Sequence, residues 1–271
     1  VPGAAGVLSA TVVSADGTPI AYDRYGSGPA VVLVAGAMME RAHPTMAGLA
    51  EALAPWFTVL SYDRRGRGGS GDTAPYAVER EVEDLAAVVE AAGGSAKVFG
   101  GSSGAGLALE AATRLPGVRE LALWEPPYHV DDSAPPLPGD FAEQLAALVA
   151  AGRRDTAVER FMVEAAEVPA EAVAGMRAEP FWAAAEAAAH TLAYEAAVMG
   201  PGNALPAARL ARIDRPALVL NGEDSPAWMR RAGAAVAAAL PCAAHRVLEE
   251  QTHAVTVEAL APELLEFFAR S

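Results

Sequence analysis

The chain has 271 residues, 52% of them hydrophobic, enough for a large core, and a formal net charge of −14. That acidity argues against nucleic acid and anionic membrane surfaces as partners, and no apolar run of about 18 residues predicts a membrane span. The single cysteine, Cys242, excludes an internal disulfide, and no C-x-x-C or histidine-rich cluster predicts a metal site.

The opening stretch, VPGAAGVLSA, has neither a basic leader nor a long apolar segment, so no signal peptide is expected and the cytoplasm is the expected location. Strands are predicted over residues 10–15 and 19–25, joined by a turn at Asp16-Gly17-Thr18. The continuous apolar run AVVLV at 30–34 marks a strand buried on both faces, ending in Ala35-Gly36-Ala37. A helix is expected over 44–54, a strand over 56–62 ending at Asp63, a Gly/Arg-rich loop over 64–72, and a helix over 80–92 with Val82, Leu85, Ala86 and Val89 on one stripe. A short strand at 97–99 then runs into Gly100-Gly101-Ser102-Ser103-Gly104, followed by strong helix formers from Leu107.

The strand ELALW at 120–124 ends at Glu125-Pro126-Pro127. From 128 to 210 helical segments follow with no convincing strand. Alternation resumes with a strand at 217–221, a helix at 226–240, a strand at 245–248 and a final helix at 257–269. Strands alternating with helices predict an α/β protein whose mostly parallel central sheet is flanked by helices on both faces. Residues 1–127 and 211–271 form the expected core, and 128–210 a helical lid inserted after the sixth strand. Cys242, next to Pro241 and near a strand, is expected to be a small buried filler.

Gly100 to Gly104 fits G-x-S-x-G centred on Ser102, because centring on Ser103 would need glycine where Ala105 stands. A strand turning sharply into a helix presents such a serine on a strained backbone, which small neighbours permit. Serine is a poor nucleophile until a base takes its proton. His253, in the loop after the last strand, can take it and return it, and a carboxylate fixes the imidazole tautomer. Backbone N–H groups of Ala37 and Ser103 are the candidate oxyanion donors. For the acid, Glu125 and Asp224 both follow sheet strands. Glu125 could instead pair with Arg64 or Arg65, and Asp224 could cap the helix near Pro226.

At these residues the chain resembles the α/β-hydrolase superfamily, in particular its small esterase, lactonase and C–C hydrolase branch. The resemblance runs from about residue 10 to 270, on Asp63-Arg64-Arg65-Gly66-Arg67-Gly68-Gly69-Ser70, similar to a D-x-x-G-x-G-x-S loop, on the Ser102 elbow and on His253. It implies the superfamily fold, Ser102 and His253 as catalytic residues, Ala37 and Ser103 as the oxyanion hole, and no cofactor. Where the superfamily usually has His-Gly, this chain has Ala35-Gly36. The superfamily's usual acid position is G-x-x-D, which Gly222-Glu223-Asp224 misses by one residue. Glu125 matches the position used after the preceding strand by some relatives, such as certain haloalkane dehalogenases.

Met38, Met39, His129, Phe161, Phe181, Trp182 and Tyr194 are expected to contact substrate, as large, adaptable apolar or aromatic side chains near the oxyanion residue or in the lid. Few cations in the lid beyond Arg153, Arg154 and Arg177 fit a small, neutral ester or lactone. The expected state is a monomer or homodimer. C–C bond hydrolysis, cofactor-free cyclisation, or ligand reception without turnover remain alternatives, since one fold hosts many activities.

Overall fold

The computed structural model describes residues 6–270. The expectations for the opening stretch and for the outer limits of the core therefore fall partly on residues outside the described ones. Eight strands form one sheet: β1 (Leu8–Val13), β2 (Pro19–Tyr25), β3 (Ala30–Val34), β4 (Thr58–Tyr62), β5 (Ala96–Gly101), β6 (Val118–Trp124), β7 (Ala217–Gly222) and β8 (Ala243–Leu248), in the order β1-β2-β4-β3-β5-β6-β7-β8. β2 runs antiparallel to β1 and β4, and every pairing from β4 through β8 is parallel.

The parallel strands are covered on both faces, and their side chains alternate between two cores as a period of two requires. On one face Val32, Val34, Leu121, Leu123 and Val219 pack against helices α2 (Val78–Ala91), α3 (Ser103–Ala112) and α10 (Ala227–Ala239). On the other, Val31, Leu33, Ala122, Leu218 and Leu220 meet α1 (Pro44–Leu53) and α11 (Val257–Phe268). The α2 stripe is Val82, Leu85, Val88 and Val89, the helical spacing expected of a face turned to a sheet.

Between β6 and β7 lie six helices: α4 (Phe141–Ala150), α5 (Arg154–Arg160), which runs into a π-helical turn (Phe161–Ala165), α6 (Ala170–Met176), α7 (Pro180–Ala187), α8 (Thr191–Met199) and α9 (Ala207–Leu210). They enclose a third core of their own, including Phe141, Leu145, Val158, Met162, Trp182 and Leu192, against which Ala37 and Met38 pack. No helix among the described residues is long and apolar enough to cross a membrane.

The expected burial of Cys242 is corrected: its side chain is exposed. It opens onto β8, an edge strand with only β7 beside it, so no element covers that position.

Candidate active site

β3, β5, β6, β7 and β8 all end at one edge of the sheet, where open α/β sheets place their ligands. Ser102 sits between β5 and α3 with φ 53° and ψ −127°, a strained conformation for a residue with a Cβ. Its N–H donates to Trp124 O at 2.8 Å, tying the bend to β6. A Cβ at Gly104 would run into the backbone oxygens of Val34 and Ala35, so this position admits glycine only. Ser103 opens α3, and its N–H belongs to the first turn, where no intrahelical acceptor exists.

Glu125 follows β6 directly. It is fully buried, with φ 44°. Its Oε2 lies 2.7 Å from Nδ1 of His253, and its Oε1 accepts from the Gly222 N–H at 2.8 Å and from Asn221 Nδ2 at 3.4 Å. Burial pushes the carboxyl up, but the hydrogen bonds from His253 and Gly222 outweigh it and hold the group below the usual carboxylate range. A carboxylate can only accept, so His253 donates through Nδ1–H and its Nε2 is left as a basic nitrogen. The Trp124 indole N–H donates to the His253 carbonyl at 3.0 Å, steadying the loop that carries the imidazole.

Asn221 completes the support of the acid. It is fully buried, its Nδ2 also donates to Met229 O at 3.1 Å, and its Oδ1 lies 2.8 Å from Nε2 of the exposed His245. Both donors are committed, so the amide can only offer its oxygen to His245. Asp224 is exposed, and the N-cap position of α10 is held by Pro226, not by Asp224. The pairing of Glu125 with Arg64 or Arg65 is also absent: Arg64 binds Glu81 and Glu195, and Arg65 binds Asp84 and Asp16.

Ser102, Ser103, Ala37 and His253 share one cavity of about 590 Å³. Five of the chain's seven methionines line it: Met38, Met39, Met46, Met199 and Met229. Phe161 and Phe181 add aromatic wall, and no lysine or arginine does. Six non-glycine residues have positive φ among those described. Met38, Ser102, Glu167 and Asn203 line this cavity and Glu125 holds its histidine, leaving Glu250 apart. Strain collected around one cavity marks a place where geometry is held for a purpose other than stability. Among the described residues, no group of three or more His, Cys, Asp or Glu could hold a metal ion.

The alpha/beta hydrolase family model matches residues 31–261. The chain belongs to the alpha/beta hydrolase family. It is similar to the crystal structure of an alpha/beta hydrolase from Sphaerobacter thermophilus, with 57% identity, a TM-score of 0.89, and coverage of 96% of this chain and 100% of that one. An enol-lactonase from Burkholderia xenovorans shares 20% identity with a TM-score of 0.71 over 97% of this chain and 100% of that one, a likeness of fold. An uncharacterised hydrolase of Bacillus subtilis, YraK, is 36% identical over 106 residues, 37% of this chain and 38% of that relative's length.

Three residues expected at the substrate lie off the cavity wall of this alpha/beta hydrolase. His129 packs edge-on against Trp228, with ring centroids 5.4 Å apart. Trp182 is buried in the insertion's own core, its indole N–H bonded to Glu186 at 2.7 Å. Tyr194 stacks on Tyr76 at 3.7 Å and donates to Asp72 at 2.8 Å. The wall also includes residues that the sequence does not single out for substrate contact, among them His43, Met46, Asn203 and Met229. Met46 and Met229 lie on helices α1 and α10, which the pattern marks only as sheet-packing, so no sequence signal separates them from core. Asn221 had one available signal, a buried polar residue at the end of a strand on the ligand edge of the sheet.

Proposed function

We propose that this alpha/beta hydrolase is a serine hydrolase that cleaves a carboxylic ester or lactone with a small, uncharged, largely apolar acyl part. The observation that carries the reading is the 2.7 Å hydrogen bond between His253 Nδ1 and a fully buried Glu125, with His253 lining the same cavity as the strained Ser102. Nε2 of His253 takes the Ser102 proton as Oγ attacks the carbonyl carbon. The oxyanion receives the N–H groups of Ala37 and Ser103. The proton passes to the leaving alkoxide, and water activated by the same nitrogen then releases the acid from the acyl-enzyme. The helices between β6 and β7 act as a lid, their core packing against Ala37 and Met38 beside Ser102.

The test is covalent labelling. A fluorophosphonate probe should add its phosphonyl mass to Ser102 of the folded protein, and Ser102→Ala should take up none. A folded wild-type protein left unlabelled by excess probe sinks the reading.

The wall supports an uncharged substrate over a carboxylate-bearing one. Glu195 is committed to Arg64 and Arg67, Glu167 accepts from the Trp228 indole, and no cation faces the cavity. A free carboxylate on the substrate would be desolvated with no cationic partner. p-Nitrophenyl butyrate should therefore exceed p-nitrophenyl hemisuccinate in kcat/KM by at least about tenfold. Equal rates would remove the charge argument while leaving the serine chemistry in place.

A further inference from the structure

We propose that Arg67 is a positioning residue for the oxyanion hole: its buried guanidinium grips the Gly36 carbonyl and thereby aims the Ala37 N–H, the other end of the same peptide unit, into the cavity. The inference rests on the serine-hydrolase reading and adds to it the source of one donor's alignment.

A peptide unit is planar and trans, so its C=O and N–H point in opposite directions. Fixing the oxygen fixes the hydrogen. Arg67 Nη1 donates to Gly36 O at 2.8 Å and reaches Met39 O at 3.4 Å, bracketing the loop on both sides of Ala37. Gly36 and Ala37 line the cavity and Arg67 does not, as expected of a group that acts from behind. Its charge also polarises the peptide it holds, which strengthens the N–H at the far end as a donor. The loop has no orienting side chain of its own, because Ala35 and Gly36 carry no donor. A Cβ at Gly36 would lie 3.0 Å from Gly101 O and 3.1 Å from the Ser102 Cβ, so the loop is pressed against the elbow and would hold one only tightly.

Arg67 is itself held from the insertion. Glu195, on α8, pairs with Arg67 and accepts from Arg64 Nη1 at 2.8 Å. Arg64 reaches Ala35 O at 3.3 Å and is clamped by Glu81 of α2 through bonds of 2.7 and 2.8 Å. Two cations therefore hold consecutive carbonyls of the oxyanion loop, and one carboxylate from the insertion links them. All four side chains are at most 3% exposed, so solvent cannot substitute for any of them.

The experiment compares wild type, Arg67→Lys, Arg67→Met and the double variant Arg67→Met/Glu195→Gln with p-nitrophenyl acetate and phenylboronic acid, whose tetrahedral serine adduct puts an anionic oxygen in the hole. The double variant keeps the Arg64–Glu81 pair balanced and stands in for Arg67→Met if the single variant does not fold. The expected result is a fall in kcat of about 100-fold, matched by a similar rise in the boronate inhibition constant. KM should stay within about twofold, and Arg67→Lys should recover part of the loss. A purely structural role would lower the melting temperature without coupling kcat to boronate affinity. Folded variants with unchanged kcat and boronate affinity, or with only KM raised, overturn the inference. A wild type that neither hydrolyses the ester nor binds the boronate overturns the hydrolase reading itself, and with it this one.

Discussion

Glu125→Gln is expected to lower kcat by about 10³- to 10⁴-fold at neutral pH, with Asp224→Asn staying within about twofold of wild type. The substitution conserves volume, so a loss would come from chemistry and hydrogen bonding. The carboxylate accepts from His253 Nδ1, from the Gly222 N–H and from Asn221. An amide has one oxygen. If it stays with Gly222 and Asn221, its NH2 faces Nδ1, and the imidazole must move its proton to Nε2 to accept there. The ring then presents a proton to Ser102 where a base is required. Asp224 lies exposed in the loop after β7, with its backbone N–H on Gln251 O at 2.9 Å and no side-chain bond to His253. Steady-state kinetics on a neutral ester, with melting curves to show both variants folded, checks the pair. Comparable losses in the two variants would remove Glu125 from the special role proposed for it.

That choice between carboxylates shows how far the sequence could be read. The central strands were legible because each is a short apolar run, and 30–34 matches β3 end for end; 19–25, bounded by turn residues, matches the partly buried β2 as well. β1 is shifted by two residues from its expected place, since a strand exposed along much of its length carries little apolar alternation. Ser102 was legible from its glycines and His253 from its place in chain order. The acid was left between two carboxylates, because both follow strands on the same edge of the sheet. The register separates their surroundings: Trp124 pairs with Leu220, which sets Glu125 beside Asn221 and within reach of the Gly222 N–H. The position after β7 thus supplies donors to Glu125. The arginines of the 63–70 loop were legible as part of a family-like loop pattern. Their buried partners come from α2 and α8, however, up to 131 residues away in the chain, a separation no local pattern spans. Trp182 and Tyr194 look like pocket residues in an alanine-rich segment with little periodicity, and only packing shows that they face the insertion's core and Tyr76.

Arg64→Met is expected to reduce unfolding free energy by about 3–5 kcal/mol at neutral pH, because it leaves buried carboxylates without their main partner. Arg64 and Glu81 are 1% and 2% exposed, and Arg64 also carries one oxygen of Glu195. Methionine fills similar length but donates nothing. The loss should depend on pH with a definite sign. Burial alone would push the Glu81 carboxyl up, yet the charge and hydrogen bonds of Arg64 outweigh it and hold the group below its ordinary 4.5. A carboxyl depressed in the folded state adds stability that is complete above its unfolded value and fades as pH falls through the folded one. In the variant burial is no longer opposed by Arg64, so the folded protein takes up a proton at Glu81 at higher pH. The gap between wild type and variant should therefore be widest at neutral pH and narrow toward acid, where the carboxyl is protonated in both. Neighbouring Asp84 has the opposite sign, since burial raises its carboxyl despite two bonds from Arg65. Its contribution to wild-type stability declines as pH rises through the carboxylate range. Urea unfolding of wild type and Arg64→Met at neutral and mildly acidic pH checks this. A difference that stays constant with pH would mean that lost packing, and not the buried carboxylate, sets the stability of this cluster.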